Sequence, residues 1–126
     1  MSGFFLGKIL LILGDTPFQS ERVNHSINLA KASLKQGHKV SIFLFIDGVY
    51  NMLNTQRGDL FKVTSINNEL GTLSQMGARI MCCKLCTEIR GVGGALKPEF
   101  VEETGVGELN EELEDADAVV SFIGGS

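Results

Sequence analysis

What this sequence lacks narrows it first. Its 11 Lys and Arg residues form no cluster and are outnumbered by 15 Asp and Glu, for a net charge of −4. Gripping a nucleic-acid backbone needs a basic footprint, so no direct nucleic-acid partner is expected. Cysteine is scarce: three in 126 residues, all between positions 82 and 86. An odd, bunched set cannot staple a secreted domain, and with no export signal it points to a reducing cytoplasm.

Long hydrophobic runs are absent too. Phe4 to Leu13 is apolar enough to suggest a signal peptide, but no positive charge precedes it and Lys8 interrupts it. Gly14-Asp15 then ends it without a small-residue cleavage site, and it is too short to span a bilayer. It reads as a first core strand, and no membrane partner is expected. There is no internal repeat, low-complexity tract or linker. With 44% hydrophobic and 21% charged residues, the chain reads as one domain over residues 1–126.

Several cofactor motifs are also missing. The first strand carries no G-x-G-x-x-G. Gly91-Val92-Gly93-Gly94 lacks both the strand–glycine–helix context and the Lys-Ser/Thr of a phosphate loop. The stretch Gly91 to Pro98 reads instead as a flexible lid. Cys83-x-x-Cys86 is half of a zinc ligand set with no second knuckle, so no metal is expected. Nor do the thiols sit in thioredoxin's Trp-Cys-Gly-Pro surroundings. His25 and His38 stand alone and read as surface or capping residues. No cofactor is expected.

What is present is an alternation of strands and helices. Gly7 to Leu13, Lys39 to Ile46, Ile80 to Cys82 and Ala118 to Ile123 are continuous apolar runs, the pattern of strands covered on both faces. Between them, Val23, Ile27, Ala30 and Leu34 form a helical stripe behind a Ser20 cap, stopped by Gly37. Val49 to Asn54 is a short irregular or helical connection. A second helix starts at about Asp59 or Ser65 and runs to Met76, with Ile66, Leu70 and Leu73 inward and Gly77 as its stop. Lys84 to Arg90 forms a third, with Leu85 and Ile89 on one face and Gly91 after it. In a fourth, Gly107 to Ala116, Leu109, Leu113 and Ala116 share one face, with Glu108, Glu111 and Glu112 outside. The pattern predicts an α/β fold, a parallel sheet with helices on both faces. Four strands are clear, and a fifth can hide in the loops.

All three cysteines fall at one strand-to-helix junction, where ligands and chemistry collect in open α/β sheets. Cys82, still in the strand, reads as an inert thiol facing the sheet packing. Cys83 is the first residue out, close to the helix N-cap, where unpaired amides and the helix dipole favour a thiolate. Cys86 lies one turn on, close enough to reach it. Asp15 and Asp47, at the ends of the first two strands, share that edge of the sheet. They read as loop caps first and as residues orienting a partner second.

With these motifs in place, the chain resembles the DsrE/DsrF-like sulfur-relay family, on its TusD/DsrE side. The resemblance runs nearly the whole length. It is carried by Pro17-Phe18 opening a helix that ends in Ala30-Lys31-Ala32 and Gly37-His38, and by the turn Asp47-Gly48-Val49-Tyr50-Asn51. It continues with a cysteine, Cys83, ahead of Arg90-Gly91, then Gly105-Val106-Gly107-Glu108-Leu109 and Asp117-Ala118-Val119-Val120. The resemblance implies a three-layer flavodoxin-like (DsrEFH-like) subunit that assembles into trimers or hexamers, homo- or hetero-oligomeric.

It also implies a sulfurtransferase-like carrier holding sulfane sulfur as a persulfide on Cys83, between donor and acceptor proteins of a relay. That relay would serve tRNA thiolation or sulfur oxidation. Lys84 is a candidate thiolate stabiliser, and Asp15, Asp47 and Tyr50 are candidate binding residues on the site rim. That side of the family has apolar residues where this chain has Cys82 and Cys86, so Cys86 is a candidate resolving thiol that would expel the bound sulfur as sulfide. Two other readings stay open: an oligomeric binding module with incidental cysteines, and a dithiol redox or metal protein using Cys83 and Cys86.

Overall fold

Lys8–Leu13 (KILLIL) has no polar alternation after its first residue, and in the computed structural model it forms β1, an inner strand of a five-stranded parallel sheet. The structure describes residues 6–18 and 21–124. Phe4 and Phe5 of the first apolar run, and Ser20, the expected helix cap, lie outside them. β1 pairs with β2 (Lys39–Leu44) on one side and β5 (Ala118–Phe122) on the other. β3 (Arg79–Cys83) and β4 (Val101–Thr104) extend the sheet beyond β2, so the order is β4-β3-β2-β1-β5.

Four α-helices connect the strands: α1 (Glu21–Lys35), α2 (Ile66–Gln75), α3 (Lys84–Ile89) and α4 (Val106–Asp115). The first three connections step the same way across the sheet, so right-handed crossovers carry α1, α2 and α3 over one face. The last steps back across the whole sheet and carries α4 over the other. The packing agrees. Leu11, Leu13, Ile42, Leu44 and Ile80 are buried with Val23, Ile27 and Ala30 of α1 and Leu70 and Leu73 of α2. Each fully buried aliphatic side chain there contributes about 1.5–3 kcal/mol. On the opposite face Leu10, Phe43 and Met81 are buried, with Leu109 and Ala116 packed against them. One helix cannot cover five strands, and that face is the thinner layer.

Glu112 of α4 points inward, not outward as the sequence pattern suggests: it is 4% exposed. The α4 face of the sheet presents polar side chains at the amino ends of the strands, and Glu112 meets Lys8 at 3.1 Å and Arg79 at 2.6 Å. Leu113, expected inward, is 39% exposed in its place.

The fifth strand, β4, lies in the stretch after Pro98 that carried no strand signal. It has four residues, two of them Glu102 and Glu103, and it occupies a sheet edge where acidic side chains reach water. β5, expected to be covered on both faces, is the other edge and stays largely exposed.

Gly37 and Gly77 take the left-handed backbone that stops α1 and α2. The connection after β2 is a 3-10 helix, Ile46–Met52. A shorter one spans Gly58–Phe61, and α2 begins only at Ile66, where Gln56 Oε1 accepts the Ile66 amide at 2.8 Å. The expected lid, Gly91 to Pro98, is folded and tied. It contains a 3-10 turn at Gly94–Leu96, and Asn54 Nδ2 donates to the Ala95 carbonyl at 2.8 Å.

Candidate functional site

β3 alternates its side chains across the sheet, and that alternation sorts the thiols. Cys82 enters the core beneath α1 and α2 and is fully buried. Burial pushes its thiol up, with the nearby Thr87 side chain opposing the rise. Cys83 emerges on the α4 face, packs beside Phe43 and Met81, and stays half-buried. It is both the last residue of β3 and the N-cap of α3.

Two hydrogen bonds fix that cap. The Cys86 amide donates to Cys83 Sγ at 3.4 Å, and Thr87 Oγ1 donates to the Cys83 carbonyl at 2.8 Å. Thr87 is the inward side chain of α3, 1% exposed. Leu85 and Ile89, which share a helical face as the spacing predicts, turn that face outward and are 65% and 72% exposed. α3 is short and sits at the sheet edge, so Cys86 and Thr87, with the Cys83 cap, are what it turns toward the core.

Cys86 lies against Cys83, and the two side chains are in hydrogen-bonding contact. The Ile46 amide also bonds to the Cys86 side chain. Burial, then the contact with Cys83, push the Cys86 thiol up, while the Ile46 amide and the Arg90 charge oppose the rise. Ile46 has φ +54, a left-handed backbone that a β-branched residue adopts only when its surroundings enforce it. The turn that bends there is the one that brings the amide to the thiol.

A cavity of about 370 Å³ opens over the pair. Its walls are Phe43 and Phe45 from β2 and its end, Leu85 and Cys86 from α3, and Gly105, Val106 and Leu109 from the start of α4. Apart from the two sulfurs, the lining side chains are hydrocarbon. Gly105 caps α4, and its amide is held by Glu108 Oε2 at 2.9 Å.

The other expected residues divide. Lys84 is exposed at the first position of α3 and does not line the cavity. Asp47 stands at the rim, where Arg90 Nε and Nη2 both approach its Oδ1 at 2.9 Å. Arg90 Nη1 also donates to the Cys86 carbonyl at 3.3 Å, so one side chain ties α3 to the turn after β2. Tyr50 packs against the α1/α2 core, away from the cavity lining. Asp15 lies two strands from Cys83. Its Oδ2 accepts from Arg22 Nε at 2.5 Å and its Oδ1 from the Gly124 amide at 2.6 Å. These bonds tie the loop after β1 to α1 and to Gly124. His38 Nδ1 accepts the Gly7 amide at 2.9 Å, and His25 is exposed.

The sequence reading missed Arg90, Ile46, Phe45 and the contribution of α4. Arg90 is legible in hindsight, four residues beyond Cys86 on the same helical face. Ile46 carries no local signal, because nothing in an apolar run announces a left-handed turn. Among the described residues no cluster of three or more His, Cys, Asp or Glu is arranged to hold a metal ion. No described helix is long and apolar enough to cross a membrane.

A doubly layered parallel sheet with a thiol at the carboxyl end of an inner strand defines a flavodoxin-like α/β protein with its site at the strand ends. The chain belongs to the DsrE/DsrF-like family, whose model matches residues 7–122. The YchN protein of E. coli has the same fold, with a TM-score of 0.84 and 27% identity over 92% of this chain and 99% of that one. The uncharacterized protein MK0008 of Methanopyrus kandleri is 28% identical over 117 residues, covering 90% of this chain and 93% of its own length. Protein MTH1491 of Methanobacterium thermoautotrophicum, at 14% identity and a TM-score of 0.73 over 91% of this chain and 98% of its own, shares the fold.

Proposed function

We propose that this chain is a sulfur carrier that takes a sulfane sulfur onto Cys83 and hands it to an acceptor thiol. The observation that carries the reading is the position of Cys83: half-buried at the mouth of an apolar cavity, its sulfur accepting a backbone amide. Membership of the DsrE/DsrF-like family, whose members act in sulfur relays, supports it.

The step is thiol exchange with sulfur as cargo. The Cys83 thiolate attacks the outer sulfur of a donor persulfide, R–S–SH, forming a Cys83 S–S bond as the donor S–S bond breaks. The donor leaves as a thiolate and Cys83 carries –S–SH. The Cys86 amide solvates negative charge on the Cys83 sulfur, and the cavity shields the outer sulfur from stray thiols and water. Lys84, exposed beside the site, supplies positive charge to the approaching anionic sulfur. The reverse step on an acceptor protein's thiol discharges it.

Oligomeric assembly belongs to the same reading. Leu85, Ile89, Val106, Leu113, Val119 and Ile123 are all exposed apolar side chains, and the α4 face of the sheet is thinly covered. Partner subunits are the proposed cover. A cytoplasmic, reducing setting keeps the thiols free.

The test is intact-mass spectrometry straight after incubating reduced protein with a cysteine desulfurase and cysteine. One added sulfur on the Cys83 peptide, transferable to an acceptor thiol, is the expected result. Full uptake by a Cys83→Ser protein would overturn the assignment.

A further inference from the structure

A carrier needs one thiol, and this site holds two. Cys86 faces Cys83, its side chain in hydrogen-bonding contact with the Cys83 side chain, and both line the same cavity. Cys82, the third thiol, is on the opposite face of the sheet and cannot take part.

We propose that Cys86 is a discharge thiol, which attacks the inner sulfur of a Cys83 persulfide, closes a Cys83–Cys86 disulfide and expels the outer sulfur as hydrosulfide. The proposal rests on the persulfide reading of Cys83 and adds a second fate for its cargo. When an acceptor thiol is docked, the sulfur moves on. When none arrives, the site releases it.

The step balances without an external oxidant. Cys83–S–S⁻ and Cys86–SH become Cys83–S–S–Cys86 and HS⁻. The inner S–S bond breaks as the new one forms, and the outer sulfur takes both electrons and the Cys86 proton. That sulfur is reduced from the sulfane to the sulfide level while the two cysteines are oxidised to a disulfide. A dithiol reductant then reopens the site.

Geometry favours the inner sulfur as the target. Exchange at a disulfide sulfur runs in line, so the leaving sulfur must point away from the attacker. Cys86 reaches Cys83 from α3, and the cavity that both line, walled also by Phe43, Phe45 and Val106, has room for the outer atom to turn away from Cys86. The two residues stand as N-cap and third helical position of α3, a spacing that brings the side chains together without moving the backbone far. The Ile46 amide on the Cys86 side chain holds it in place, and Arg90 keeps α3 against that turn.

The experiment loads reduced wild-type and Cys86→Ser proteins with inorganic polysulfide, removes the excess and leaves them without an acceptor. Free sulfide and intact mass are followed together. Wild type is expected to release one sulfide per persulfide lost and to finish two hydrogens lighter than its reduced form, with Cys83 and Cys86 bridged. Loaded Cys86→Ser and Cys86→Ala proteins are expected to keep their persulfide at least about tenfold longer. A wild-type persulfide as durable as the variants' overturns the discharge role and leaves the carrier reading standing. No sulfur on Cys83 in any of the three proteins overturns both.

Discussion

Arg79 Nη1 lies 2.6 Å from Glu112 Oε1, joining β3 to α4 on the thin face of the sheet. Glu112 is nearly buried, with Lys8 on its other oxygen and Ser41 also bonded to it. Burial alone would raise its pKa, but Lys8, Ser41 and Arg79 together hold it below the ordinary carboxylate value. A Glu112→Gln protein should therefore lose stability. Arg79 is 42% exposed and rehydrates when abandoned, so the expected loss is about 2 kcal/mol, less than for a fully buried pair.

The sign of the pH effect follows. A carboxylate with a lowered folded-state pKa contributes stability above its unfolded value, near 4.5, and loses it as pH falls through the folded value. Urea midpoints measured from about pH 3 to about pH 7 should fall on the acid side in wild type and less steeply in Glu112→Gln. Equal slopes would mean that the pair does not hold α4.

Gly48 has no room for a side chain. A Cβ there would stand 1.8 Å from the Leu13 carbonyl oxygen, a backbone atom at the end of β1 that cannot move alone. The Gly48 amide meanwhile donates to the Phe45 carbonyl at 2.8 Å, fixing the turn that carries Ile46 and Asp47. Gly48→Ala should cost more than about 3 kcal/mol, read as a large drop in melting temperature or in folded yield. A variant melting near wild type would show that the turn can slide off β1, and Ile46 would then be free to leave Cys86.

How much of this was legible in the sequence depended on whether the signal was local. β1, β2 and β3 announce themselves as apolar runs, and α1 and α2 end at glycines that take the backbone a stop requires. β4 does not, because an edge strand of four residues with two glutamates pairs through its backbone and needs no apolar pattern. Glu112 misleads for a related reason. Periodicity counts a carboxylate as an outward residue, and only the folded sheet shows the row of Lys8, Ser41 and Arg79 waiting for it. At the site, the thiols, their spacing and a Cys82 turned into the sheet packing were visible, whereas Cys83, read as the first residue out of the strand, is its last. The cavity wall was not, since Gly105 and Val106 reach Cys83 only through the long crossover that returns α4 over the sheet.

The rim ion pair should matter for motion more than for stability. Asp47 is 53% exposed, so Asp47→Asn should cost under about 1 kcal/mol. Arg90 however bridges Asp47 and the Cys86 carbonyl, and α3 has only six residues. Hydrogen exchange of the α3 amides should be faster in Asp47→Asn and in Arg90→Ala, with the α1 and α2 amides unchanged. Unchanged exchange in α3 would show that Thr87, through the Cys83 carbonyl, holds the helix by itself.

Ile89 is 72% exposed on an outward helical face, next to Leu85 at 65%. If subunits cover that face, Ile89→Glu should shift the protein toward monomer in sedimentation velocity while its circular dichroism stays that of the folded chain. The same shift should not follow from Leu60→Glu. Leu60 is as exposed, at 64%, but lies in the 3-10 helix Gly58–Phe61 ahead of α2 and does not line the cysteine cavity. Monomer from both substitutions, or from neither, would remove α3 from the interface.

The three thiols should separate cleanly by alkylation. Cys82 is fully buried among aliphatic side chains and burial pushes its thiol up, so a reagent reaches it only when the fold opens. Cys83 and Cys86 are half-buried at a cavity open to solvent. Iodoacetamide followed by peptide mapping should label Cys83 and Cys86 in the native protein. Cys82 labelling should instead track global unfolding, rising with urea along the same transition as the circular dichroism. The distinction bears on chemistry, because a Cys82 that reacted natively would place a third sulfur within reach of the persulfide. Exchange would then scramble the cargo between the two faces of β3. Protection of Cys82 under native conditions confines that exchange to one pair, the pair at which transfer and discharge compete.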